Sequence, residues 1–245
     1  MQELKNLPSL SVSQGGLRMW DLCRRKFSYV YLEGSQSLPA IAATDGLELG
    51  SQFHLLVQQH FLGQDVRPWL VGRPKLQQWF EAFEVFAQQL PPGEYLPEHR
   101  RCWGDEGLSV NVIYDLLLLG EGQAVIFDWK THKQTIPYKQ LVRHWQTRLY
   151  LYVLARTSGF SCERLSMVYW FANTAEQVKI AYSEVFDREV ERDLSDRLAE
   201  MRRAVEVRPD WPRLAVDSEV CGQCQFYYRC WSDLRVELDY SEVEV

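Results

Sequence analysis

Two carboxylates and a lysine lie close together in otherwise apolar segments. Asp115 ends Ile113-Tyr114-Asp115, and Asp128 and Lys130 flank Trp129 in Ile126-Phe127-Asp128-Trp129-Lys130. If both segments are strands joined by a turn at Glu121-Gly122, the two aspartates fall on adjacent strands at the same end of a hairpin. Side chains alternate along a strand, so Asp128 and Lys130 share one face while Trp129 anchors the other in the core. Two carboxylates and an ammonium on one sheet surface can hold a divalent metal and orient a phosphate. A solvated edge pair with a salt-bridging lysine fits the same spacing.

Two helical pairs add to this set. Gly50 and His54, four residues apart, share a helix face, and the glycine lets that helix approach a neighbour closely and bring an imidazole towards the carboxylates. Gln146 and Tyr150 present an amide and a phenol on one face of a later helix, where they can also serve simply to tie helix to sheet. Basic residues cluster nearby in sequence at Lys130, Lys133, Lys139, Arg143 and Arg148.

In this order the residues resemble the RecB-type branch of the PD-(D/E)XK nuclease superfamily. That branch carries G-x-x-x-H on a helix, an Asp, a D/E-x-K on the next strand and Q-x-x-x-Y on a following helix. Gly50–His54, Asp115, Asp128–Lys130 and Gln146–Tyr150 match these elements across most of the chain. Val112 and His132 stand where the family often has glycine. The resemblance implies a metal-dependent phosphodiesterase with Asp115, Asp128, Lys130, His54, Gln146 and Tyr150 in its active site. His54, Asp115 and Asp128 would bind Mn2+ or Mg2+, and Lys130 would orient the water or stabilise the transition state. The imidazole favours Mn2+ over Mg2+. Glu98, on the preceding strand, reads as a surface residue.

A second set is sulfur-based. Cys221, Cys224 and Cys230 form C-x2-C-x5-C near the end of the chain, and Cys23 lies far upstream in Cys23-Arg24-Arg25-Lys26-Phe27. Four such thiolates suit an iron–sulfur cluster, with structural zinc as the competitor. Cys102 and Cys162 are left as small buried hydrophobes. The three-plus-one arrangement is similar to an iron–sulfur subset of RecB-type nucleases that includes CRISPR-associated iron–sulfur exonucleases and the AddB nuclease domain. That resemblance implies a 4Fe–4S cluster joining the chain ends. Arg24, Arg25 and Lys26 beside it, with Lys139 and Arg143, are candidates for DNA phosphates.

The elements that must position these groups are legible in outline. Ser13 can N-cap a first helix over Leu17–Leu32, and a second spans Leu47–Leu62 and stops at Gly63. A third runs from Pro74 towards Pro91. Strands follow at Tyr95–Trp103, Ser109–Leu119 and Gln123–Trp129, then a helix over Tyr138–Thr157. Strands at Leu165–Asn173 and Val178–Glu184 precede a charged helix at Arg188–Val205. The expected fold is α/β, a single PD-(D/E)XK restriction-endonuclease-like core with a mixed central sheet flanked by helices and the chain ends joined by the four-cysteine staple. The whole chain, 1–245, is expected to be one domain, with the cysteine tail at 209–232 and an acidic, disordered tail at 233–245.

Composition sets the outer limits. The 245 residues are 46% hydrophobic and 24% charged, ordinary globular values. No apolar run approaches the ~20 residues of a membrane span, and the opening residues lack a signal-peptide core, so a cytoplasmic protein is expected. The net charge of −6 argues against whole-surface attraction to nucleic acid but allows a local basic groove. The expected function is a DNA nuclease, an exonuclease on single strands or ends, in repair, recombination or CRISPR adaptation. Because no G-x-x-x-x-G-K-[ST] occurs, any helicase would be a partner, as would a CRISPR adaptation protein. A catalytically silent DNA-binding or scaffolding module on the same fold, and a zinc-stapled interaction protein, are the alternatives.

Overall fold

The computed structural model describes residues 10–35, 44–105, 108–207 and 210–232. The acidic tail expected at 233–245, and residue 209 of the cysteine tail, lie outside them.

The chain opens with a short strand β1 (Leu10–Val12), followed by α1 (Gln14–Leu22) and α2 (Arg24–Phe27), which continues as a π-helical turn over Ser28–Leu32. Then come α3 (Thr44–Phe61) and α4 (Pro74–Ala87), the strands β2 (Glu94–Asp105), β3 (Leu108–Gly120) and β4 (Gln123–Lys130), and the helices α5 (Tyr138–Leu141) and α6 (Trp145–Thr157). Strands β5 (Leu165–Phe171) and β6 (Glu176–Ala181), helix α7 (Glu184–Val207) and two single turns, α8 (Glu219–Gly222) and α9 (Tyr227–Cys230), complete it.

The strands form one mixed sheet in the order β1-β3-β4-β5-β6, with β2 along the other edge of β3. β1–β3 and β4–β5 are parallel; β2–β3, β3–β4 and β5–β6 are antiparallel. The parallel β4–β5 step requires a crossover, and α5 and α6 supply it. On one face Leu17 and Trp20 of α1, Leu149 and Val153 of α6 and Leu194 of α7 pack on Tyr114, Ile126 and Tyr169. On the other, Phe53 and Val57 of α3 and Phe80 and Phe83 of α4 pack on Phe127, Trp129 and Trp170. The helix spacings explain this. Leu76, Trp79, Phe80 and Phe83 recur on one side of α4, and every one is buried. β5, covered on both faces, is buried throughout, as its apolar LSMVYWF run requires.

Two helices are shorter than their patterns predict. The helix expected over 17–32 starts at Gln14, with Ser13 capping it through Gly16 N–H, and breaks at Cys23, whose backbone is extended and whose sulfur caps α2. The helix expected over 138–157 is interrupted before Trp145, because His144 is extended and caps α6. β1 escaped notice because three residues carry no readable periodicity.

Candidate active site

β4 supplies the centre. Ala124 and Ile126 face the α6 side, and Val125, Phe127 and Trp129 face α3 and α4. Asp128 and Lys130 continue the first series, as alternation predicts. Trp129 is 2% exposed and packs edge-on against Phe83 and Phe86, which fixes the strand from behind. Asp128 is buried, and its Oδ2 lies 2.6 Å from Lys130 Nζ. Lys130 is the one polar group beside this buried oxygen among the described residues. Gln146 bridges the pair. Its amide N–H donates to Asp128 Oδ1, and its Oε1 accepts from Lys130 Nζ at 3.0 Å. Tyr150, one turn on and buried, packs edge-on against Tyr114, whose hydroxyl donates to the Tyr150 carbonyl at 3.1 Å.

β3 and β4 separate at this point. Their ladder ends at Leu116↔Phe127, and the next position is bridged by a side chain, Trp129 N–H donating to Asp115 Oδ2 at 2.9 Å. The side-chain alternation of β3 shifts here. Val112 and Tyr114 face one cluster, and Leu116 and Leu118 face the other. Opposite Asp115 in register, between the pairs Pro97↔Leu116 and His99↔Tyr114, Glu98 takes a left-handed φ of 49°. Such a conformation in a non-glycine residue costs about 1–3 kcal/mol and persists only where its surroundings impose it.

α3 brings His54, whose Nδ1 is 3.2 Å from Asp115 Oδ2. A Cβ added at Gly50 would stand 2.9 Å from Thr131 Oγ1, so the glycine's role is to admit the Thr131 side chain just after β4. Asn173 holds that segment, donating to the carbonyls of Thr131 and His132 and accepting from Trp79 Nε1. Gly50→Ala is therefore expected to gain about 1 kcal/mol of helix propensity and lose a similar amount by displacing Thr131. The midpoint of thermal unfolding should stay within about 4 °C while any activity that depends on the placement of His54 falls about tenfold. A variant with wild-type activity would show that the Gly50–Thr131 contact does not position His54.

His54, Gly50, Asp115, Thr131 and Glu98 line one open groove of about 510 Å³. Burial opposes protonation of His54, but the hydrogen bond and charge of Asp115, with the charge of Asp128, outweigh it and raise its pKa. Burial pushes the Asp128 carboxyl up to about 6, against the pull of Lys130 and with the push of Asp115. Burial also raises Glu98, reinforced by Asp115. Burial and the nearby aspartates keep the Tyr150 phenol protonated. Sequence reasoning set Glu98 aside as a surface residue. It is exposed, but it shares the groove with His54 and Asp115, and its backbone conformation has no sequence signature.

The six residues expected from sequence are thus brought together. The donor chemistry suits a divalent ion, since an imidazole and two carboxylates converge and one buried carboxylate oxygen has only the Lys130 ammonium beside it. As they stand, the acids are tied in pairs, and among the described residues no set of three or more His, Cys, Asp or Glu side chains is spaced to hold an ion directly.

The four cysteines also meet. Cys23, Cys221, Cys224 and Cys230 line one small cavity of about 20 Å³, walled by Leu214, Phe226 and Trp231. Burial raises the Cys230 thiol, Arg25 and Arg213 oppose that, and Cys23 and Cys221 add to it. All four are free thiols, and with their present side-chain positions the space between them is about that of one water. Cys102 is exposed and Cys162 half-buried, so neither is the buried hydrophobe expected. Of the basic candidates, Arg24 pairs with Glu200 at 2.8 Å and lies over Trp20. Arg25 is buried and donates to Trp211 O and Asp210, both at 2.6 Å. Lys139 and Arg143 are exposed beside α5.

A family model described as the PD-(D/E)XK nuclease superfamily matches residues 11–231. The crystal structure of a candidate exonuclease from Eubacterium rectale aligns with a TM-score of 0.57 at 13% identity, covering 87% of this chain and 88% of that one. The structure of SSO0001 aligns with a TM-score of 0.42 at 14% identity, over 92% of this chain and 88% of that one. At such identity the first likeness shows a shared fold. No curated protein sequence gives a significant match.

Proposed function

The chain belongs to the PD-(D/E)XK nuclease superfamily, and on that footing we propose that it is a metal-dependent DNA nuclease of the RecB-type, iron–sulfur branch, acting on single strands or DNA ends. The observation that carries this reading is the convergence of His54, Asp115, Asp128 and Lys130 from three separate elements, with His54 and Asp115 lining the groove and the Asp128–Lys130 pair set behind them.

A divalent ion held by His54, Asp115 and Asp128 would offset charge on the scissile phosphate and acidify the attacking water. The chain's own groups do the rest. Lys130 Nζ presents a positive charge beside Asp128, where it can meet a phosphate oxygen or the water. Gln146 holds Asp128 and Lys130 at a fixed separation, and Tyr150, one turn further along α6, packs the helix against Tyr114 of β3. Lys139 and Arg143 are the proposed contacts to flanking phosphates, with Arg24 available once it leaves Glu200. Among the described residues no helix is long and apolar enough to cross a membrane.

The test is a panel of labelled single strands, blunt duplexes and closed circles, each with Mn2+ and Mg2+. Shortening of linear strands with circles spared is the result expected. Binding without cleavage of any substrate would favour a silent DNA-binding module.

Protons and metal compete for this site. His54 and Asp128 both hold their protons more tightly than usual, so both must lose them when an ion binds. Mn2+ affinity should therefore fall as pH drops from about 8 to about 6, measured by titration calorimetry. An affinity flat across that window would remove His54 and Asp128 from the ligand set.

The four-cysteine cavity supports a 4Fe–4S cluster held by Cys23, Cys221, Cys224 and Cys230. Anaerobically purified protein should be brown and absorb broadly near about 400 nm. Cys23→Ser should lose the colour and lower the unfolding temperature. Serine keeps the cap that Cys23 gives to Lys26 N–H, so the lost stability reports the ligand and not the helix end. Stoichiometric zinc without iron would overturn the cluster.

A further inference from the structure

A second cleft, of about 670 Å³, opens on the far side of Tyr150. Its origin is a gap in the sheet. One edge of β3 pairs with β1 at 108–110 and with β4 at 116–120, which leaves 111–115 without a strand partner on that side. Ser11, Ser13 and Gln14, at the turn from β1 into α1, and Asn111 of β3 line the opening. Arg100 and Arg101 of β2 also line it.

In a chain with a net charge of −6, no carboxylate lines this cleft among the described residues. Arg100 is exposed and makes no ion pair or hydrogen bond among them. Its charge acts on Glu98, but that carboxylate lines the catalytic groove instead. Arg101 donates through Nη1 to the Thr157 carbonyl at the end of α6, but its Nε is buried without a partner. Asn111 donates to Ser11 Oγ at 2.9 Å, which leaves the Ser11 hydroxyl proton available to a ligand. Arg101 Nη1 also meets Thr157 Oγ1, and the Asn111 amide also donates to Ser109 Oγ, so Asn111 and Arg101 build the wall. The Arg100 guanidinium and the Ser11 hydroxyl are the donors offered to the oxygens of a phosphate.

The cleft and the catalytic groove share no lining residue, but Tyr150, which lines the cleft, stands one helical turn from Gln146, the residue that bridges Asp128 and Lys130. On α1, Gln14 at the cleft is one turn from Arg18, and the charges of Arg18 and Lys130 both act on His144.

Building on the nuclease reading, we propose that this cleft is a second phosphate subsite, which holds a phosphate of the substrate strand away from the scissile bond. The phosphate is either the terminal group of a 5′-phosphorylated strand or an internal phosphodiester.

The test is fluorescence anisotropy of labelled single strands, with 5′-phosphate or 5′-hydroxyl ends, on chelated protein, with closed circles as competitor. Wild type is compared with Arg100→Ala and Asn111→Asp, and cleavage of the same strands is followed in Mn2+. Each variant should bind about tenfold more weakly and show a raised KM with kcat retained. A wild-type preference for 5′-phosphate that disappears in the variants assigns the terminal group. Equal weakening on both ends, with poorer competition by circles, assigns an internal phosphodiester. Wild-type affinity and KM in both variants would overturn the subsite and leave the nuclease reading intact. A wild-type protein that neither binds nor cuts DNA would overturn both.

Discussion

Asp128→Asn is expected to reduce cleavage by about 10³-fold or more while leaving the fold in place. The asparagine keeps the volume and the acceptor for Gln146 but removes the charge that pairs with Lys130 and that an ion would use. Its effect on stability follows from the raised pKa. In the metal-free wild type the carboxyl titrates near 6 when folded, against a reference of 3.8. The folded state therefore binds that proton more tightly, and stability is lost as pH rises from about 4 through about 6. The variant lacks this loss, so its stability should vary less over that window and stay within about 2 kcal/mol of wild type at neutral pH. Circular dichroism melts over the range, with single-turnover cleavage, measure both. An active variant, or one that fails to fold, would contradict the assignment of Asp128 as a ligand.

Lys130→Met carries the second largest effect, a fall in kcat of about 10²–10³-fold. Methionine preserves much of the apolar stem that places Nζ 5.4 Å from the Tyr169 ring centre, so the change removes chiefly the charge. Without Lys130 the Asp128 pKa rises further, because Lys130 is what opposes the burial effect. At about pH 8 Asp128 should remain ionised, and Mn2+ affinity should lie within about threefold of wild type. A kcat loss with metal affinity retained assigns Lys130 to the phosphate or water. Loss of metal binding in parallel would instead make it a structural partner of Asp128.

The groups of the site were legible where chemistry and local geometry coincide. Alternation along β4 placed Asp128 and Lys130 on one face and Trp129 on the other, and helical spacing paired Gln146 with Tyr150. Features that depend on distant partners were not legible. The shift in alternation at Asp115 and the left-handed Glu98 opposite it arise where β4 leaves β3, and neither residue type marks such a break. Asn173 steadies the segment after β4 from 42 residues away. Arg24, Arg25 and Lys26 are expected to face DNA phosphates, yet Arg25 is buried because Asp210 and the Trp211 carbonyl come back to meet it. The mixed sheet follows from the order of elements, whereas strand direction depends on how α5 and α6 cross from β4 to β5.

The central claim is that His54, Asp115, Asp128 and Lys130 form one metal-dependent hydrolytic site. It is tested most directly by single-turnover cleavage of an end-labelled single strand by chelator-stripped, folded protein, before and after Mn2+ is restored. The account predicts no cleavage before and progressive shortening after. Cleavage that survives stripping, or folded protein that stays inactive in both Mn2+ and Mg2+, would contradict it.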